Sequence, residues 1–375
     1  MMRSKIIEKF NRIVIKIGSS VLRGNSGINR GVINRITKEV AKLVSEEKEV
    51  IIVSSGAILF GKHVLGMKEK PLPLREKQAL AAIGQVYLME AYRNAFKRYG
   101  LKTAQVLLTH ADFDDVERWK SSRETIECLL SKKVLPVINE NDTVSTEEIK
   151  IGDNDHLSAM VAIRIGAELL LILTNIPYVY KIEKINGKKK KIPVYKVQNE
   201  EEIDELMRSA KGASSRESVG GMSTKLKAAK MCMHAGVYVV ITDGRRKGSI
   251  SSLSNGEIEG TIFCPSEEVS SIKKFLLSVK REKGEIVIDD GAVEAIIKDK
   301  KSLLPVGVIE VKGKFPEKSV VRILSKDGKV IGKGRVNMNS EIIRMIRGKK
   351  TWEVKEILGD LPPEVIHSNY MIFFE

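Results

Sequence analysis

Cysteine is scarce in this 375-residue sequence: Cys128, Cys232 and Cys264 lie far apart and form no C-x-x-C pair. That spacing argues against a disulfide framework, a zinc site or a redox motif, and it suits a reducing cytoplasm. His63, His110, His156, His234 and His367 show no metal-ligand spacing, so no metal ligand is assigned. No apolar stretch approaches the roughly 20 residues that cross a bilayer, and no membrane partner is expected. The opening Met1 to Asn11 is charged and has no apolar core before a cleavage site, so no secretory signal is read. There is also no G-x-x-x-x-G-K-[ST] loop and no H-R-D or D-F-G set, which excludes the P-loop and protein-kinase architectures.

What remains is an ordinary soluble composition, 42% hydrophobic and 30% charged, in a chain long enough for two domains. The net charge of +16 is spread along the chain and is somewhat denser in the last third. Three readings of it stand. A basic surface attracts nucleic acid, it serves anionic small substrates, or it is a solvated Lys/Glu-rich exterior.

Strand-like and helix-like patterns alternate through the first two-thirds. Short β-branched runs fall at 12–17, 50–54, 104–108, 134–138, 169–174 and 237–242. Amphipathic segments lie between them at 29–46, 75–98, 116–132, 156–165 and 223–234. This order predicts a three-layer α/β/α sandwich on a mainly parallel sheet, with ligands gathered at the carboxyl ends of the strands. Asn186-Gly187, between 178–183 and 189–197, predicts a type I′ hairpin. The adjoining lysine run, 188–191, reads as a solvated device against edge pairing or as a phosphate contact. After about residue 266 a helix at 270–280 and a linker precede short strands at 286–288, 306–312, 320–324 and 330–336. They predict a small β-barrel-like domain with one or two short helices. The expected boundaries are 1–266 for the first domain, 267–283 for the linker and 284–375 for the second.

Two lysines stand out. Lys16 closes a run, Ile13 to Ile17, that otherwise reads as buried on both faces, and lysine is rarely buried without a partner. Gly18-Ser19-Ser20 follows, a small turn whose N–H groups can approach a phosphate. Lys225 ends Gly220-Gly221-Met222-Ser223-Thr224-Lys225. With Ser223 as N-cap, it lies in a first helical turn, where the dipole disfavours a cation unless an anion is present. The bland alternatives are a lysine snorkelling from a strand end and a solvated lysine beside a glycine pair. Polar groups cluster after other strands: Asn139-Glu140-Asn141-Asp142, Gly152-Asp153-Asn154-Asp155, and Ser54-Ser55-Gly56-Ala57. Some of them cap helices. As a set they suit an amino acid's ammonium and carboxylate groups and the orientation of the lysines. A carboxylate nucleophile needs no general base at neutral pH. Phosphoryl transfer to it then reduces to positioning and charge neutralisation by Lys16, Lys225 and Mg²⁺.

The segments 14–22, 53–58, 136–142, 152–155 and 220–226 resemble, in order, the motifs of the glutamate 5-kinase family, and the resemblance covers nearly the whole chain. Residues 287–307 and 365–367 are similar to that family's C-terminal PUA domain, a fold also found in RNA-modifying enzymes. The resemblance implies that Lys16 and Lys225 contact the phosphates of ATP, and that Asp155 organises the two lysines. Ser55, Gly56, Asp142 and Asn154 bind glutamate, and Asp153 supports the substrate loop. Gly18, Ser19, Thr174, Asn175 and 220–224 (Gly220, Gly221, Met222, Ser223, Thr224) lie on the nucleotide side. It also implies γ-glutamyl phosphate as product, passed to a glutamyl-phosphate reductase for proline synthesis, with proline as inhibitor and homo-oligomeric assembly. RNA is a further possible ligand of the PUA-like part. Two positions depart from the family pattern: Asn175 stands where the family has Asp, and Ser218-Val219 where it has Gly-Thr. Both touch the nucleotide side.

Overall fold

The computed structural model describes residues 10–24, 27–68, 71–144, 154–185, 188–211, 216–251, 259–265, 276, 279, 282–299, 301–359 and 363–374. The chain divides into two compact units, Met1–Glu268 and Val269–Glu375.

In the first unit the described strands are β1 (Arg12–Ile17), a short ribbon of β2 (Arg23–Gly24) and β3 (Gly27–Ile28), β4 (Glu49–Ser54), β5 (Lys102–Leu108), β6 (Val134–Glu140), β7 (Leu169–Thr174), β8 (Val179–Ile185), β9 (Lys188–Val194), β10 (Lys196–Val197), β11 (Tyr238–Asp243) and β12 (Thr261–Phe263). Eight of them form one sheet in the order β10-β12-β11-β7-β1-β4-β6-β5. Every pairing is parallel except that of β11 with β12. β1 and β7 are buried almost throughout, as central strands covered on both faces must be. The crossovers are α1 (Ser19–Leu22), α2 (Arg30–Ser45), α3 (Ala57–Val64), α4 (Leu74–Lys97), α5 (His110–Asp114), α6 (Val116–Ser131), α7 (Asn154–Ile165), α8 (Glu200–Lys211) and α9 (Arg216–His234). Because β1, β4, β6, β7 and β11 run the same way, the loops after them open on one edge of the sheet.

Arg12 secures the opposite edge. Its guanidinium donates to Glu49 (2.7 Å), to both oxygens of Glu127 (2.8 and 2.9 Å) and to the carbonyl of Ile165, tying the start of β1 to β4, α6 and α7. The lysine-rich hairpin of β8 and β9 is a separate two-stranded sheet. Lys190 and Lys191 are exposed there, which favours the solvated-edge reading of that run. Its turn, Asn186-Gly187, and most of the expected helix at 270–280 lie outside the described residues.

One expectation fails. The helix assigned to 223–234 begins at Arg216, so Ser223 is not an N-cap and Lys225 lies in the third turn. The glycine pair does not interrupt the helix, and within it the side chains of Thr224 and Lys225 both donate to the Gly221 carbonyl. Lys225 is therefore not a cation at a helix N-terminus, and the dipole gives no reason for a phosphate at that point.

In the second unit a five-stranded sheet has the order β14-β13-β15-β16-β17, where β13 is Glu285–Ile288, β14 Val308–Lys312, β15 Val320–Ser325, β16 Val330–Arg335 and β17 Met371–Phe373. Its described helices are α10 (Asp290–Ile297), α11 (Ser340–Ile346) and α12 (Thr351–Leu358), one more than the sequence led us to expect. Asp289 caps α10 and Asn339 caps α11 through bonds to backbone N–H groups.

Helices α3 and α4 meet backbone to backbone. A Cβ on Gly84 would stand 1.8 Å from the Ala57 carbonyl oxygen, and one on Gly61 would stand 2.1 Å from that of Leu80. This contact seats the start of α3 and hence the Ser55-Gly56 turn before it. Elsewhere Glu47 and Lys133, just past the ends of α2 and α6, hold left-handed backbones (φ 60° and 56°) that glycine adopts without strain. We expect Gly84→Ala to cost about 3 kcal/mol or more through overpacking, and Lys133→Gly to stabilise by about 1 kcal/mol. Thermal denaturation of both variants tests the pair, and an unchanged Tm for Gly84→Ala would contradict the close contact.

Candidate active site

Three elements of the first unit converge on one carboxylate. Lys16, on the penultimate residue of β1, donates to Asp155 Oδ1 at 2.6 Å. Lys225, on α9, donates to Asp155 Oδ2 at 3.0 Å, and Thr224 donates to the same oxygen at 2.6 Å. Lys16 and Asp155 are each 5% exposed. The strand registers explain the position of Lys16, which sits level with Val53 on β4 and Ile172 on β7, deep in the middle of the sheet. Burial alone would push the Asp155 carboxyl up. The charges of Lys16 and Lys225, with hydrogen bonds from Lys16 and Thr224, more than offset that and hold it well below the usual carboxylate range. One buried carboxylate thus stands against two ammonium groups, Lys16 buried and Lys225 partly exposed, near the carboxyl ends of the strands.

Gly18 lies directly beside this cluster. Its N–H donates to the Leu173 carbonyl, and a Cβ there would stand 3.3 Å from that oxygen and 3.6 Å from Lys16 Nζ. Ser19 is exposed at the mouth of the turn.

Asn154 precedes Asp155 at the start of α7 and opens a second, uncharged set. Its Nδ2 donates to Ser55 Oγ (2.9 Å) and to Asn139 Oδ1 (3.0 Å). Ser55 is positioned by its own N–H, which donates to the Ile17 carbonyl, and by Gly56, whose φ of +118° turns the chain into α3. Among the described residues, Asn154 Oδ1 and Asp142 Oδ1 are buried without a hydrogen-bond partner. Such acceptors are costly to leave unpaired, and they fit a donor supplied by a ligand. Burial, reinforced by the charge of Glu140, pushes the Asp142 carboxyl up to about 7.

On the other side Thr174 is buried at the end of β7, and Asn175 is exposed. The Asn175 carbonyl accepts from Arg245 at 2.8 Å, and Gly244 N–H donates to the Thr174 carbonyl. Gly220, Gly221, Met222 and Ser223 lie within α9, in the turns leading to Lys225. Asp153 lies outside the described residues.

The structure therefore joins Lys16, Lys225, Asp155 and Thr224 in one cluster and Ser55, Asn154 and Asn139 in an adjoining one. It links Thr174 and Asn175 to the β11 loop instead of to the lysines. Sequence reasoning missed Arg245, although its loop follows a strand like the others. It also missed Gln85, whose Oε1 accepts from Asn139 Nδ2 at 2.9 Å; an amide within an amphipathic helix gives no signal. Among the described residues no group of three His, Cys, Asp or Glu side chains gathers as a metal site, and no helix is long and apolar enough to cross a membrane.

Residues 11–243 match the amino acid kinase family, and residues 284–358 match the PUA domain. A glutamate 5-kinase of Thermoanaerobacter sp. (strain X514) is 41% identical over 368 residues, covering 97% of this chain and 98% of that protein. A glutamate 5-kinase of Geobacter sp. (strain M21) is 39% identical over 374 residues, covering 99% and 100%. The solved N-acetylglutamate synthase of Neisseria gonorrhoeae, complexed with coenzyme A and N-acetyl-glutamate, shares the fold with a TM-score of 0.51 at 14% identity. The match covers 71% of this chain and 62% of that one.

Removing the Asp155 charge should leave the buried Lys16 ammonium without its carboxylate. We expect Asp155→Asn to cost about 3–5 kcal/mol at pH 7, measured by urea denaturation. Because the folded carboxyl titrates below its unfolded value, the parent's advantage is full above pH about 4 and is lost as pH falls further. A variant as stable as its parent at neutral pH would remove Asp155 from the centre of the cluster.

Proposed function

Because this chain belongs to the amino acid kinase family, and within it to the glutamate 5-kinases, we propose that it transfers the γ-phosphoryl group of ATP to the side-chain carboxylate of L-glutamate. One observation carries this reading. Two lysines share a single buried carboxylate, Asp155, and the residue next to it, Asn154, presents a buried acceptor with no partner.

The chemistry follows from those groups. A glutamate carboxylate oxygen attacks the γ-phosphorus, the bond to the bridging oxygen of ADP breaks, and ADP leaves with that electron pair. No proton moves, since the nucleophile is already ionised. Lys16 and Lys225, both held against Asp155, neutralise charge on the transferred oxygens. Asp155 fixes their direction, and Thr224 fixes Asp155. The N–H of Gly18 is already spent on Leu173, so its part is to let the chain pass close to that carbonyl beside Lys16. Magnesium belongs to the nucleotide in this scheme, with phosphates and water among its ligands, as is usual for that ion.

On the substrate side Asp142 and Asn154 Oδ1 receive the α-ammonium group. Ser55, which accepts from Asn154, turns its hydroxyl proton toward a carboxylate. The product, γ-glutamyl phosphate, opens proline biosynthesis in the cytoplasm and is consumed by a glutamyl-phosphate reductase. Proline inhibits by competing for the same ammonium and carboxylate contacts, and the enzyme works as a homo-oligomer.

With ATP and Mg²⁺, hydroxylamine should trap a hydroxamate from glutamate and little from aspartate or N-acetylglutamate. No product from glutamate, with product from another acid, would overturn the assignment. Lys225→Ala should lower kcat by about a hundredfold or more while changing the KM for glutamate little. An ammonium group binds an ionised carboxylate, so the KM for glutamate should rise as pH falls below about 7, where Asp142 takes up a proton. Asp142→Asn should raise that KM and flatten its pH dependence between 6 and 8, as steady-state kinetics at about half-unit intervals would reveal.

A further inference from the structure

A row of amides reaches the site from outside it. Gln85 lies on α4, is 9% exposed, and is absent from every motif of the sequence. Its Oε1 accepts from Asn139 Nδ2 at 2.9 Å, and its Nε2 donates to Gln105 Oε1, also at 2.9 Å. Asn139 Oδ1 accepts from the backbone N–H of Glu140 (2.9 Å) and from Asn154 Nδ2 (3.0 Å).

The direction of this row is not arbitrary. A backbone N–H can only donate, so Glu140 requires an oxygen from Asn139, and the Asn139 NH₂ must then find an acceptor. Gln85 supplies it. Asn139 is thereby held at both ends, and reversing its amide would lose all three bonds. With Asn139 fixed, Asn154 must offer N–H toward it and toward Ser55. Both Asn154 protons are then used, and its carbonyl oxygen is the end left facing the site, buried and without a partner.

We propose that Gln85 is a positioning residue for the reaction: through Asn139 it holds the Asn154 amide with its oxygen toward the substrate, so that the site selects acceptors carrying a free α-ammonium group. The inference rests on the reading of Asn154 as an ammonium acceptor. A flipped Asn154 would present N–H to the ammonium group and repel it, yet would accommodate an α-hydroxyl group. The row therefore sets selectivity at an atom that Gln85 never touches. Gln105 stands at its outer end, exposed on β5, where water replaces a lost partner at little cost.

The test compares the amino acid that the parent enzyme phosphorylates with its α-hydroxy analogue, for glutamate 2-hydroxyglutarate, using hydroxamate formation. Gln85→Met keeps the length of the side chain and removes its polar end. We expect the KM for the amino acid to rise about tenfold, the effect of one buried hydrogen-bonding group left unpaired. We expect kcat to stay within about twofold, and the preference over the hydroxy analogue to fall about tenfold. Gln85→Glu retains an acceptor for Asn139 and should restore most of that preference. Gln105→Met, on an exposed edge that tolerates substitution, should shift the preference in the same direction by less than about threefold. If both substrates lose equally, or if Gln85→Met and Gln105→Met leave the preference unchanged, the proposal is wrong. A parent enzyme that ignores glutamate but phosphorylates another amino acid overturns the assigned substrate and leaves this comparison intact.

Discussion

The ion cluster at Asp155 is the constraint on which the rest of the site depends. A carboxylate that is 5% exposed stays ionised because two ammonium groups and the Thr224 hydroxyl stand against it, and Lys16 stays buried because of it. The arrangement brings together β1, α7 and α9, elements separated by many tens of residues in sequence. On the proposed reading an anion entering beside Lys16 and Lys225 meets groups already held in place, without the cost of assembling them. For phosphoryl transfer to a carboxylate, where no base is required, that preorganisation is most of what a protein can contribute.

The fold supplies the geometry through its parallel strands. β1, β4, β6, β7 and β11 end on one edge of the sheet, and the residues that follow each strand lie there. Small residues then allow close approach. Gly18 lies where a Cβ would stand 3.3 Å from the Leu173 carbonyl oxygen, and Gly56 turns backwards to start α3. The Gly61–Gly84 contact fixes α3 against α4, which also carries Gln85. The turn holding Ser55 and the helix that steers Asn154 are thus packed as one piece, with little freedom to drift apart.

Much of this was legible in the sequence, for identifiable reasons. Apart from Arg12, Lys16 and Thr174 the runs 12–17 and 169–174 are apolar, and both strands appear with those bounds. Lys16 was conspicuous because a charge does not belong in such a run. Asn154, Asp155 and Asp142 showed as polar clusters following strands. Other features left no local trace. The start of α9 was misplaced because a glycine pair and a serine imitate a helix beginning, and nothing nearby reveals that α9 starts at Arg216. β17 has three residues, too few for an alternating pattern to register. Gln85 resembles any solvated helix residue until the pairing of β5 with β6 places Gln105 level with Val137, close to Asn139. Long-range register decides such contacts, and composition does not encode it.

Asn154 and Asp155 are consecutive, joined by one peptide bond at the head of α7. On the proposed reading the first receives the ammonium group of the acceptor, and the second governs the lysines that meet the phosphoryl group. The backbone itself then acts as a gauge, with the acid's own length spanning the two marks. A dicarboxylic amino acid one methylene shorter, anchored by the same ammonium group, would fall short of the far mark. Neither residue needs to sense the missing carbon, because the rigid first turn of a helix measures it for them.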